Sequence, residues 1–235
     1  MDYYACVEKG IVHFEKGEYG KAVRCFNMAT GLAPWIDIAW IWKGLSYRHL
    51  NMLDTAIFSY NKAIEANTES YLAYNNMGYA LNEIGMHEEA YECFLKVTDI
   101  MPDDMLGWRN LGFTLFQMER YDEALSCFEK AITSSTEDSA AALHVFRGNA
   151  LGKLGRTEEA LLSYDDSISV DCRDLTALNN KGILLEKMER YDEAAGCFEK
   201  ILEIIPDDIF TIKKIEELNL KIKSTSSWAT RDHAR

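Results

Sequence analysis

The chain has 235 residues, 48% of them hydrophobic, and its 38 acidic against 25 basic side chains leave a net charge of −13. That balance argues against nucleic acid as the main partner, because phosphate binding needs a basic footprint, and it disfavours an anionic membrane surface. No segment approaches the roughly eighteen apolar residues of a membrane span, and Met1–Glu8 lacks the basic start and apolar run of a signal peptide, so the expectation is a soluble, cytoplasmic protein without a membrane or nucleic-acid partner.

A period runs through the chain. Glycine returns at Gly10, Gly44, Gly78, Gly112, Gly148 and Gly182, in steps of 34, 34, 34, 36 and 34 residues. Ala22, Ala56, Ala90, Ala124, Ala160 and Ala194 keep step with it, and an aromatic follows four residues after each alanine: Phe26, Tyr60, Phe94, Phe128, Tyr164 and Phe198. Self-similarity at this spacing marks a stack of small supersecondary units without one central core.

In chain order the units are 3–36, 37–70, 71–104, 105–140, 141–174 and 175–208, and each reads as two helices. In the fourth, Leu106, Trp108, Leu111, Gly112 and Leu115 recur at helical spacing, Met118–Arg120 makes a turn, and Tyr121 opens a second helix carrying Ala124, Leu125, Phe128, Ala131 and Ile132. Met188-Glu189-Arg190-Tyr191-Asp192-Glu193-Ala194 in the sixth repeats that turn almost letter for letter. Pro34, Pro102 and Pro206 stop second helices. Glycine costs about 1 kcal/mol against alanine inside a helix, so placing it there six times implies close backbone approach. The fourth unit is longer, and the polar run Thr133–Ser139 predicts an extended loop after it. Beyond Pro206, Ile212, Ile215, Leu218 and Ile222 predict one further amphipathic helix over 209–223 that covers the last apolar face. Residues 224–235 read as a flexible tail.

Cys25, Cys93, Cys127 and Cys197 share one column with Ser59 and Ser163. Such a column wants a small side chain at a crowded contact, and copies a repeat apart are too distant for a disulfide. These are read as structural thiols. The five histidines are scattered, with no His-Glu-x-x-His. Gly148–Lys153 has the wrong spacing for a phosphate loop. The acid pairs Glu88-Glu89, Asp122-Glu123 and Glu158-Glu159 open second helices, where they complement the dipole. No catalytic constellation emerges, and neither cofactor nor metal is expected: the chain reads as a non-enzyme.

The second unit carries Trp40, Gly44, Tyr47, Ala56, Tyr60 and Ala63 in that order, and the fourth carries Trp108, Leu111, Gly112, Ala124, Phe128 and Ala131. This order over about 3–208 resembles the tetratricopeptide repeat family. Cys6 and His144 depart from its pattern, as do Thr68, Thr136 and Cys172 where proline is usual. The resemblance implies an all-α fold, a right-handed superhelical solenoid of six helix-turn-helix units plus a C-terminal capping helix. It further implies a concave surface lined by the first helix of each pair, with protein or peptide segments as ligands.

By that register Asn76, Asn110 and Asn180 stand two residues before their glycines. An amide both donates and accepts, so these residues either hold the backbone of an extended peptide or bridge adjacent helices. Asn75, Tyr79, Asn82, Arg109, Phe113, Phe116 and Asn149 are their groove neighbours. In the second unit Ile38, Ile41, Trp42 and Leu45 form an apolar stripe, with Trp35 in the preceding turn. That stripe is either covered by neighbouring repeats or marks a site for a partner's apolar anchor or for a second copy. Arg48, Arg109 and Arg147 would favour a negative group. The expected function is a non-catalytic protein–protein interaction scaffold that binds an extended peptide or protein segment in its concave groove. The alternative is self-assembly into a homo-oligomer through the Trp-rich N-terminal repeats.

Overall fold

The computed structural model describes residues 2–232, without the side chains of 137, 138 and 225–232. Among the described residues there are thirteen α-helices and no strand. They pair as α1 (Tyr3–Glu15) with α2 (Tyr19–Leu32), α3 (Asp37–His49) with α4 (Leu53–Ala66), and α5 (Tyr71–Glu83) with α6 (His87–Ile100). Next in order are α7 (Met105–Gln117) and α8 (Tyr121–Thr133), then the pairs α9 (Glu137–Lys153) with α10 (Thr157–Val170) and α11 (Leu175–Lys187) with α12 (Tyr191–Ile204). A last helix, α13 (Ile209–Asp232), packs on α12. Two compact units result, Met1–Arg120 holding α1–α7 and Tyr121–Arg235 holding α8–α13. No helix among the described residues is long and apolar enough to cross a membrane.

The repeating glycine is the floor under the repeating aromatic. A methyl group on Gly10 would stand 2.5 Å from Cε1 of Phe26; on Gly78, 2.7 Å from Cζ of Phe94; on Gly148, 2.6 Å from Cε1 of Tyr164; and on Gly182, 2.9 Å from Cε2 of Phe198. Phe26, Tyr60, Phe94 and Phe198 are fully buried. Each of these rings therefore packs against the backbone of its own repeat's first helix, a seat that any Cβ would occupy. Where tryptophan precedes the glycine it performs a second task. The indole N–H of Trp40 donates to the carbonyl of Pro34 (2.9 Å), and that of Trp108 to Pro102 (2.7 Å), fastening the turn that leads into the helix.

A second column lies in the turn inside each pair. Gly17, Asn51, Gly85, Glu119, Gly155 and Glu189 all have positive φ, between 58° and 80°. This left-handed residue ends the first helix and reverses the chain. Nothing surrounds a Cβ at Gly17, Gly85 or Gly155, so the glycine serves backbone conformation alone. Glu119 and Glu189 hold that conformation at a strain of about 1–2 kcal/mol each. Glu119→Gly with Glu189→Gly is expected to raise the melting temperature. The freer unfolded chain takes back roughly 0.4–1 kcal/mol per site, which leaves a net gain of up to about 1.6 kcal/mol each. A melting temperature that stays put or falls would show these turns to be relaxed.

Two boundaries differ from the sequence reading. The extra residues of the fourth unit do not make a longer loop; Ser134–Thr136 is a short connection, and the insertion lengthens α9 to 17 residues against 13 in α7 and α11. The cause is local capping: the Thr136 N–H donates to the Ser139 hydroxyl (3.1 Å), which starts the helix early. At the other end, α13 continues past Lys223, so the segment expected as a flexible tail is helical to Asp232; residues 233–235 lie outside those described. No glycine or proline falls between 209 and 232 to stop it.

As expected, α13 covers the last apolar face. Leu218 is fully buried, with Ile215 beside it, against Phe198, Ile201 and Leu178. Lys214 and Lys221 both reach Glu186 of α11, at 2.7 and 2.8 Å. Burial alone would raise the Glu186 pKa, but hydrogen bonds from the two lysines hold it below the ordinary glutamate value.

Candidate peptide-binding face

In the first unit α3 touches α5, and α5 and α7 flank an open pocket of about 280 Å³. Tyr79, Asn82 and Glu83 of α5, Phe94 of α6, and Asn110, Phe113 and Gln117 of α7 line it. The buried Phe94 forms its base, while Phe113 is 42% exposed. Its walls thus combine aromatic surface with a few polar groups, the usual make-up of a recognition pocket. Of the lining residues, Tyr79, Asn82, Asn110 and Phe113 were expected on this face from sequence. Glu83 and Gln117 were missed, although both stand five residues after their repeat glycine, so the register could have found them.

A polar network stiffens the wall. Asn110 is 5% exposed; its amide donates to Asn75 Oδ1 (3.0 Å) and its oxygen accepts from the Tyr79 hydroxyl (2.9 Å). Arg109 donates to the same oxygen and, through Nη2, to the Tyr79 hydroxyl at 3.1 Å. Lower down, the Asn82 amide donates to the Thr114 hydroxyl (2.8 Å), which donates to the Asn110 carbonyl (2.9 Å). Arg48 comes from α3, donating through Nε to Glu83 at 3.0 Å and lying over the Tyr79 ring. Asn110 and Asn180 therefore act first as bridges between neighbouring repeats, whereas Asn76 does not. Asn76 donates to the Leu72 carbonyl of its own helix (2.7 Å). In the second unit Asn180 donates to Asn149 Oδ1 (3.0 Å), which also accepts from the Tyr164 hydroxyl (2.8 Å).

The apolar stripe of the second repeat divides. Ile41 is a correction: it is 3% exposed and packs on Ala63 and Ala73, within the seam between repeats. Leu45 packs partly on that cluster. Trp42 is half-buried, edge-on to Phe14 at 5.2 Å and stacked over Phe26 at 6.3 Å. Neighbouring repeats thus cover much of this stripe, and Trp35, 70% exposed, is its open member. Phe116 is half-buried on α7. Two thiols of the shared column are hard to ionise. Burial pushes the Cys93 thiol up to about 12 and raises that of Cys197.

Helix pairs locked by a glycine–aromatic contact, each turned by a left-handed residue and stacked by repeat-to-repeat contacts, define the class of α-helical repeat proteins. Tetratricopeptide repeat models match residues 38–70, 59–92, 103–173 and 176–208, and the chain belongs to the tetratricopeptide repeat family. A stretch of 94 residues is 26% identical to the DnaJ homolog subfamily C member 7 homolog of Schizosaccharomyces pombe, covering 40% of this chain and 20% of that protein. The chain thus spans about a fifth of that curated relative's length. Among solved structures it is similar to a chain of the APC/C hetero-tetramer Cut9–Hcn1, with 20% identity, a TM-score of 0.67, and coverage of 92% of this chain and 43% of the other. It is also similar to YrrB, described as a TPR protein with an unusual peptide-binding site (23% identity, TM-score 0.66, 80% and 96% coverage). PilF of Pseudomonas aeruginosa matches over 93% of this chain and 97% of its own (20% identity, TM-score 0.72). At these identities the likeness is one of fold.

Proposed function

We propose that this protein is a non-catalytic interaction scaffold whose first helices bind an extended peptide segment of a protein partner. The observation that carries this reading is the pocket between α5 and α7: an aromatic base and walls, an exposed Phe113, and polar walls already held in place by their own hydrogen bonds. A pre-ordered surface loses little entropy on binding. Because the Asn110 and Asn76 amides are engaged within the fold, the proposed affinity rests on side-chain burial more than on an asparagine ladder. A cytoplasmic address fits six free thiols. The alternative, self-assembly through the N-terminal repeats, draws support from exposed Trp35, Leu32 and Met28.

A random-peptide library displayed on phage and selected on the full chain tests the reading. Enriched peptides should bind wild type and lose about tenfold in affinity, the effect of one hot-spot contact, on Gln117→Trp, which fills the pocket from an exposed position. The Phe113→Ala variant should weaken them similarly. Failure to enrich any peptide, or equal affinity for Gln117→Trp, would reject the pocket. Light scattering of the same samples separates the alternative, which requires mass to rise with concentration.

A further inference from the structure

The exposed face of α2 departs from the pattern of the other second helices. Of the six, α2 alone contains no Asp or Glu, and residues 19–36 as a whole are free of acid, in a chain of net charge −13. The acids on either side are engaged within the fold: Glu18 by His13 and Lys21, and Asp37 by the amide of Asn67 at 3.0 Å. Along this face Arg24, Met28 and Leu32 follow one another at i, i+4 and i+8, and Trp35 stands in the turn just beyond. Trp35 is 70% exposed, Met28 51% and Leu32 50%. Among the described residues Arg24 makes no ion pair, and its side chain no hydrogen bond. The repeat itself does not ask for these side chains. Counted from the repeat glycine, the position of Trp35 holds Glu69, Asp103, Arg173 and Asp207 in the second, third, fifth and sixth repeats, all exposed. That of Met28 holds Lys62, Lys96, Lys130, Asp166 and Lys200 in the other five. At these two positions the first repeat replaces a charge by apolar surface.

We infer that this strip docks an acidic amphipathic helix of a partner protein, at a surface separate from the pocket between α5 and α7. An amphipathic helix presents apolar residues at the same three- and four-residue spacing, so its ridge lies along that of α2. Trp35 and Met28 are the apolar anchors, since an exposed apolar cluster with a tryptophan marks an interaction surface. The unpaired Arg24 and the lack of acid on α2 call for carboxylates beside those anchors. A second copy of the chain fits less well. It brings a like charge of −13, and the area is small. An aromatic offers about 150–250 Å², so Trp35 with two half-exposed aliphatic side chains falls well short of the roughly 800 Å² per partner of a stable dimer. The strip matches one face of a short helix.

Helix-forming peptides about four turns long, displayed on phage with every surface position randomised and selected on the full chain, are the probe. Enriched sequences should place Leu, Phe or Ile at i, i+3 or i+4 and i+7 with Asp or Glu alongside, and should gain helical circular dichroism on binding. They should lose about tenfold in affinity on Trp35→Glu or Met28→Lys. Both changes introduce a residue type that other repeats carry at the same position, so the fold is kept. Gln117→Trp should leave these peptides unaffected, while ligands of the α5–α7 pocket should respond to Gln117→Trp and ignore Trp35→Glu; either site can therefore fail without the other. On Arg24→Glu the preference should turn from acid to lysine in the peptide, a reversal that loss of folding cannot mimic. Peptides insensitive to Trp35→Glu, peptides indifferent to the charge at Arg24, or no enrichment at all would overturn the inference. Wild-type mass that rises with concentration, and returns to a single chain in Trp35→Glu, would give the strip to a second copy and overturn it as well.

Discussion

Phe198→Ala is expected to lower the stability of the chain by about 3–5 kcal/mol, the range for removing a fully buried phenylalanine. The ring fills the space between Gly182, which has no side chain to replace it, and a cluster that includes Leu178, Ala194, Ile201 and, from α13, Leu218. None of these can move in cheaply, because the helix backbones at Gly182 and Ala194 are already fixed by their own hydrogen bonds. In a repeat protein stability is close to a sum of local and nearest-neighbour terms. The loss should therefore fall on α11–α13, visible as faster amide exchange there while α1–α7 keep their protection. An unfolding free energy in urea lowered by less than about 1 kcal/mol, or exchange that quickens evenly along the chain, would contradict the glycine–aromatic lock.

The complementary substitution adds one methyl group. Gly148→Ala should destabilise by up to about 2 kcal/mol: crowding in a packed seat costs roughly 1–3 kcal/mol, and better helix propensity returns about 1. Gly196→Ala should do the opposite. Gly196 lies inside α12, and nothing stands within 4 Å of where its Cβ would be, so only the propensity gain of about 1 kcal/mol remains. The same chemical change in two helices of one unit is thus expected to move the melting temperature in opposite directions. Equal shifts would mean that the Tyr164 ring, 2.6 Å from the methyl on Gly148, yields without cost.

The repeat count, the helix pairs and the closing helix were legible because each depends on residue type at fixed spacing. Gly10 and Phe26 recognise one another within one unit, and every copy restates the rule. The ends of elements were less legible. The early start of α9 turns on one hydrogen bond between Thr136 and Ser139, in a polar run that a loop would use equally well. Glu119 and Glu189 occupy a left-handed position that sequence rules assign to glycine or asparagine. On the candidate face, amphipathic spacing placed residues on a helix side but could not say what lies opposite. Ile41 belongs to a seam because Ala63 and Ala73 are small enough to let it in. Asn110 finds its partners 31 and 35 residues away. Satisfaction of an amide is decided by such neighbours, and a single helix carries no record of them.

The contact between each aromatic and its glycine has a consequence for how such a chain changes over generations. Both members of the lock are encoded inside one 34-residue stretch. A gene segment of that length can be duplicated, deleted or exchanged without leaving a ring unseated, provided the break falls between units. The hydrogen bonds that join Asn75 to Asn110 and Asn149 to Asn180 have the opposite character, since each spans two units. Shuffling would preserve the module and rewrite the joint. Novelty in what such a protein recognises would then arise at the junctions, where polar side chains of adjacent modules meet, while the modules themselves stay recognisable.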